Sequence, residues 1–215
     1  MPLPLVIDTD PGVDDAPAIL LPLASPELDL KLVTTVHGNV ELERTTENAL
    51  RVLALADLLM SSPEPVTVAA AEFNVWADAE AAQRVFTAGL PTLMVGLDVM
   101  LPTVLTAEGI DRFRAAGPIG ATAAAILQHH LAEQTARTGE IGVVVHDALA
   151  LTEAILPGTL GTVRRDVVVD TGRGQTLVDR RTVSNLPTAV EVAETVDSPA
   201  AVEFLVSRLS SLDRA

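Results

Sequence analysis

Leu5-Val6-Ile7 is a short apolar run, and four carboxylates follow it within eight positions: Asp8, Asp10, Asp14 and Asp15. An apolar triplet bounded by a turn signal reads as a buried strand, and Pro11-Gly12 supplies that signal. A helix is then expected to open at Asp14 or Asp15, with Pro17 tolerated in its first turn. Carboxylates this close repel one another, and desolvation at a strand end raises the cost of keeping them charged. A bound divalent cation is the simplest compensation, because oxygen-only donors suit a hard ion such as calcium or magnesium. Open parallel α/β sheets bind their ligands outside the carboxyl ends of strands, which is where this run lies. Asp10 and Asp15 are therefore read as metal ligands. Asp14, pointing the other way, is free to take a proton from water at the metal. The plainer alternative is capping, since an Asp at a helix start satisfies free N–H groups and suits the helix dipole. Capping accounts for one or two of these acids, but not for the whole run.

Composition narrows the fold and the ligand. A chain of 215 residues can bury a sizeable core, and one domain over residues 1–215 is expected. Hydrophobic residues make up 48% and aromatics only 2%, so the core must be built from Val, Leu, Ile and Ala. That bias suits strands covered on both faces by helices. Lys and Arg total 14 against 29 acids, a net charge of −15, which opposes binding to nucleic acid or to anionic membranes. A small neutral or cationic ligand fits better. The absence of cysteine rules out disulfides and thiolate metal sites. No apolar run is long enough to span a bilayer and no signal peptide is visible, so a cytoplasmic setting is expected.

Further elements follow in order. A second strand is predicted over 31–36, an amphipathic helix over 43–60 and a third strand over 65–70. This β-α-β-α-β order predicts an open, mostly parallel, doubly wound α/β sheet. Helices are expected over 78–88, 106–115, 119–138 and 148–156, with strands over 91–98 and 141–145. A strand over 163–170, a stretch over 174–179, a last strand over 188–196 and a closing helix over 199–212 complete the chain.

The run Asp8-Thr9-Asp10-Pro11-Gly12-Val13-Asp14-Asp15-Ala16 resembles the N-terminal motif of the inosine-uridine-preferring nucleoside hydrolases, which cleave the N-glycosidic bond of ribonucleosides with a calcium ion. Four further segments are similar to that family: Gly38-Asn39, Ala71-Glu72-Phe73-Asn74-Val75, Met94-Val95-Gly96-Leu97-Asp98 and His146-Asp147. Gly174-Gln175-Thr176-Leu177-Val178-Asp179 is similar to a peripheral hairpin of the same family. The resemblance implies that Asn39 lies at the bottom of the active site and that Glu72 and Asn74 hydrogen-bond the ribose hydroxyls. It implies that Asp147 completes the calcium shell and that His146 lies near the base and assists its departure. Each has a plainer alternative: Asn39 as a turn residue, Glu72 as exposed, Asn74 and Asp147 as helix caps, His146 as a packed neighbour. A homo-oligomer is also implied.

The resemblance breaks in the middle. Family members carry a long central block between their third strand and the E-F-N segment, and here Ala70 runs directly into Ala71-Glu72-Phe73. One calcium ligand, a backbone carbonyl in that block, has no counterpart, so a reduced site and impaired activity are expected. The preferred function is calcium-assisted hydrolysis of ribonucleosides. An inactive relative that keeps the scaffold for ligand binding or assembly is the alternative. A magnesium phosphohydrolase of the haloacid-dehalogenase type also opens on a strand and D-x-D, but leaves Asp14-Asp15 unexplained.

Overall fold

The computed structural model describes residues 1–13, 15–38, 40–54, 72–139, 141–181, 183–186 and 188–211. Asp14, Asn39 and the strand expected over 65–70 lie outside these described residues. In chain order the elements begin with β1 (Leu3–Thr9), α1 (Asp15–Leu23), β2 (Leu28–Thr35) and α2 (Leu42–Ala54). Then come α3 (Phe73–Ala77), α4 (Ala79–Thr87), β3 (Leu93–Met94), α5 (Leu97–Met100), β4 (Val104–Thr106), α6 (Ala107–Arg114) and α7 (Pro118–Thr138). The last are β5 (Gly142–Val144), α8 (His146–Ile155), β6 (Leu160–Arg165), β7 (Val167–Asp170), β8 (Gln175–Val178), β9 (Val190–Val196) and α9 (Ser198–Leu209).

The chain forms two compact units. The first comprises Met1–Pro63, Met100–Thr159 and Asp197–Ala215, and the second comprises Glu64–Val99 and Leu160–Val196. In the first unit β1 and β2 pair in parallel, joined through α1, with a register shift between Leu5 and Val6. Every residue of α1 from Asp15 to Pro22 is buried. A helix apolar on all sides has to be enclosed on all sides, and α1 packs against α2, α8, α9 and β2. Its Ile19 and Leu21 join Leu105, Ile110, Phe113, Leu127, Val143 and Leu205 in one largely aliphatic core. Helix starts here use the chain's many acids: Asp197 accepts from Ala200 N–H at 3.1 Å to open α9. Val6 and Leu32, opposite each other in register, are 58% and 52% exposed, so the parallel pair shows one face to solvent. Among the described residues no helix is long and apolar enough to cross a membrane.

In the second unit β9 is central, parallel to β3 and antiparallel to β6, while β7 and β8 form a separate antiparallel hairpin. Two expected strands are cut short here. The strand expected over 91–98 is reduced to Leu93–Met94, because Val99 N–H bonds back to Gly96 carbonyl at 3.1 Å and closes a helical turn in α5. Asp98 then faces Arg180 in an ion pair. The strand expected over 163–170 breaks at Asp166. Its carbonyl accepts from Asp179 N–H at 3.1 Å and its carboxylate from Ser184 hydroxyl at 2.5 Å, which turns the chain from β9 towards the hairpin.

Arg165 grips Glu194 with two parallel bonds of 2.9 and 3.1 Å, with side chains only 11% and 22% exposed. The register between β6 and β9 slips between Gly161 and Thr162, so that Glu194 falls between the partnered Ala193 and Thr195. The Arg165 guanidinium, donating to Glu194, holds that carboxyl below the ordinary glutamate range. A lowered folded-state value stabilises the protein at neutral pH, and that contribution is lost as pH falls through it. The melting midpoint of the parent should therefore drop on acidification through the glutamate range. Arg165→Met should start lower at neutral pH and drop less over the same span. Equal pH slopes for the two proteins would show that the pair contributes nothing to acid sensitivity.

Candidate active site

β1 delivers its last residue, Thr9, into a loop in which Asp10, Pro11, Gly12 and Val13 are all buried, and α1 opens at Asp15. Asp10 is 8% exposed and Asp15 3%, so two carboxylates sit almost wholly out of water within one turn of chain. Asp15 is held on both oxygens. Thr9 hydroxyl donates to Oδ1, and Gly12 N–H donates to Oδ2 at 2.7 Å. The loop is tied to its surroundings as well: Val36 N–H donates to Thr9 carbonyl at 3.0 Å, and Asn48 Nδ2 of α2 donates to Pro11 carbonyl at 2.9 Å. Asp8, the remaining acid of the run that the structure describes, is exposed and accepts from Thr34 hydroxyl at 2.5 Å.

Gly38 explains the turn after β2. A β-carbon added there would collide with the carboxylate of Asp10, so the residue before Asn39 must be glycine for steric reasons. The sequence offered the Gly but not its cause. Thr9 and Asn48 were missed outright. A strand-end Thr and a helical Asn carry no local mark of the partners they reach.

His146 and Asp147 are the first two residues of α8, both half-buried. Val145, just before them, donates its N–H to Thr103 carbonyl at 3.3 Å, which pins the end of β5 where α8 begins. α8 packs on α1, and Val145 and Ala148 share a buried cluster with Val13 and Ala16. The helix that starts with Asp15 and the helix that carries Asp147 in its first turn are thus direct neighbours. The donors are all oxygens, which fits a hard cation in kind. Among the described residues, however, no group of three His, Asp or Glu side chains gathers closely enough to hold a metal ion.

Glu72 and Asn74 belong to the second unit. Glu72 stands at the N-cap of α3, where its two oxygens accept from Asn74 N–H at 3.0 Å and Val75 N–H at 2.9 Å. Asn74 is exposed in the first turn of that helix. The carboxylate therefore caps its helix, a role that the plainer alternative in the sequence had given to Asn74.

A family model described as inosine-uridine preferring nucleoside hydrolase matches residues 5–70 and 60–203. The chain belongs to that family. The inosine-uridine preferring nucleoside hydrolases are enzymes, and known members resemble this chain from end to end. The pyrimidine-specific ribonucleoside hydrolase RihA of Citrobacter koseri is 29% identical over 309 residues, covering 98% of this chain and 99% of the relative. RihA of Salmonella gallinarum is 29% identical over 308 residues, covering 97% and 99%. Among solved structures, a plant nucleoside hydrolase (the PpNRh1 enzyme) superposes with a TM-score of 0.85 at 21% identity, covering 98% of this chain and all 100% of that one. A purine-preferring ribonucleoside hydrolase from Gardnerella vaginalis gives 0.86 at 22% identity, covering 98% and 99%. These structures establish the fold: a nucleoside hydrolase-like α/β architecture with parallel strands. An alignment of 309 residues on a chain of 215 leaves a stretch of the relative without a counterpart. The two family matches meet at 60–70, beside the Ala70-Ala71 join.

Two variants test the buried turn. Gly38→Ala pushes a methyl into the Asp10 carboxylate and should cost about 1–3 kcal/mol in denaturant unfolding, as overpacking does. Thr9→Val removes a donor from a buried carboxylate and should cost a similar amount, about 1–3 kcal/mol. Unfolding midpoints within error of the parent for both would mean that the turn is not held as described.

Proposed function

We propose that this chain hydrolyses the N-glycosidic bond of ribonucleosides, and that calcium assists it. The observation that carries the reading is the buried Asp10–Asp15 turn at the end of β1, in a member of this hydrolase family. Asp10, Asp15 and Asp147 are the residues that would hold the ion. When bound, calcium supplies positive charge that eases the loss of a proton from water. Thr9 and Gly12, by donating to Asp15, hold that carboxylate in one orientation. Asp14 acts as general base and takes a proton from the attacking water. Oxygen from that water adds to the anomeric carbon as the bond to the base breaks through an oxocarbenium-like state, and the bonding pair leaves with the base. His146 returns a proton to the departing base, Glu72 and Asn74 hold the ribose hydroxyls, and Asn39 lines the floor. The partner is a small ribonucleoside, purine or pyrimidine. We read it further as a cytoplasmic, single-domain enzyme that forms a homo-oligomer.

The unmatched stretch of the relatives favours one second reading, an inactive scaffold that binds ribonucleosides without cleaving them. Impaired turnover lies between the two. One experiment separates them: hydrolysis of inosine, uridine and a nitrophenyl riboside, followed with calcium and with chelator, beside a thermal melt. The active reading expects chelation to lower both rate and melting midpoint, and calcium to restore them. Asp14→Ala should retain the midpoint and lose about a hundred- to ten-thousandfold in rate. A variant as fast as the parent would remove Asp14 as the base. A midpoint indifferent to calcium would remove the ion, and binding without turnover would establish the scaffold reading.

A further inference from the structure

α3 and α4 have little of their own to hold them. α3 is five residues long, and neither helix contains a buried residue. A single helical turn is not stable by itself in water. Its position must come from what it touches, and within the second unit it touches the β7–β8 hairpin.

Two contacts make the connection. At the hairpin turn Gly174 has φ of +67°, and a β-carbon built there would lie 2.6 Å from Trp76 Cα and 3.0 Å from its Cβ and Cδ1. The main chain of the turn thus rests directly on the main chain of α3, and no other residue fits. On the next helix, Gln83 Oε1 accepts from the N–H of buried Val169 in β7 at 2.7 Å. The turn itself is rigidly closed: Gly174 N–H donates to Asp170 carbonyl at 2.7 Å, and Gly172 N–H to its carboxylate at 3.0 Å. Because Glu72 bonds to the first N–H groups of α3, its carboxylate goes wherever the hairpin puts that helix.

We propose that the β7–β8 hairpin positions the sugar-holding residues, with Gly174 and Gln83 as positioning residues that fix Glu72 and Asn74 through α3 and α4. The inference rests on the reading of Glu72 and Asn74 as ribose contacts. It assigns the hairpin a part in selecting ribose over 2-deoxyribose, although it carries no reacting group.

The test uses the purified full-length chain with calcium and two sugars that it cannot cleave, D-ribose and 2-deoxy-D-ribose, with affinities read by calorimetry. The parent should prefer ribose. Gly174→Ala and Gln83→Met should each weaken ribose binding about tenfold, the worth of one hydrogen bond to a charged group, and so shrink the preference. Gly89→Ala is the control: its φ is +69° with nothing within 4 Å, so it carries the same backbone penalty without the push on Trp76. It should lower the melting midpoint and leave the preference intact. Loss of folded protein alone reduces the number of binding sites, not the ratio of the two affinities. If Gly174→Ala does not fold, Gln83→Met carries the test. Preference retained in the variants, while Glu72→Ala and Asn74→Ala abolish it, would overturn the positioning role alone. Preference absent from the parent, or untouched by Glu72→Ala and Asn74→Ala, would overturn the ribose reading and this inference with it.

Discussion

Burying a carboxylate is costly, and this chain does so where its first strand turns into its first helix. An ionised group taken out of water is tolerated only when its oxygens find donors. Asp15 finds two, the Thr9 hydroxyl and the Gly12 N–H, and sits at the positive end of a helix dipole as well. The remainder of α1 is apolar on every side, so Asp15 is also what lets the helix begin inside the protein and not at its surface. From that junction the constraints spread outwards. Asp10 fills the space in which a side chain at position 38 would stand, so the turn after β2 must carry a glycine there. Thr9 carbonyl receives Val36 N–H, which keeps the ends of the two parallel strands together.

The strand, turn and helix start around the D-T-D-P-G-V-D-D run were legible because they are local and lie within eleven residues. The helices of the first unit were legible for the same reason. What the sequence did not disclose is contact at a distance. Asn48 reads as one more polar position on an amphipathic helix, and nothing near it announces a bond to Pro11 carbonyl. Asp166 breaks what reads as one strand over 163–170 only because Asp179 and Ser184 reach it from later in the chain. The strand expected over 91–98 failed at Gly96, where the apolar pattern continues but the backbone closes a helical turn. Periodicity records which face is buried, not which partner ends the element.

The join between residues 70 and 71 was also visible in sequence, and the two overlapping family matches fall there independently. A chain that aligns end to end with longer relatives must do without part of their structure. Parallel strands are normally covered on both faces, yet Val6 and Leu32 stand more than half exposed on the β1–β2 pair. Aliphatic side chains in register on an open face are costly in water, which makes the internal ties of the first unit matter more. The enclosed α1 and its four packing partners carry a core that the sheet does not close by itself.

Capping and chemistry, set against each other when only the sequence is considered, are not rivals in this fold. A carboxylate oxygen has two lone-pair directions. Glu72 spends one on each oxygen to receive Asn74 and Val75 N–H groups, and Asp15 does the same with Thr9 and Gly12. Donors of this kind remove rotational freedom, which is what a carboxylate needs before it can grip a cation or a sugar hydroxyl. A cap is therefore a means of aiming a carboxylate. The observation that an acid caps a helix does not count against its having a second partner. The discriminating question is what occupies the outward lone pairs, and for Glu72 that depends on where a hairpin, nearly a hundred residues further along the chain, has set the helix down.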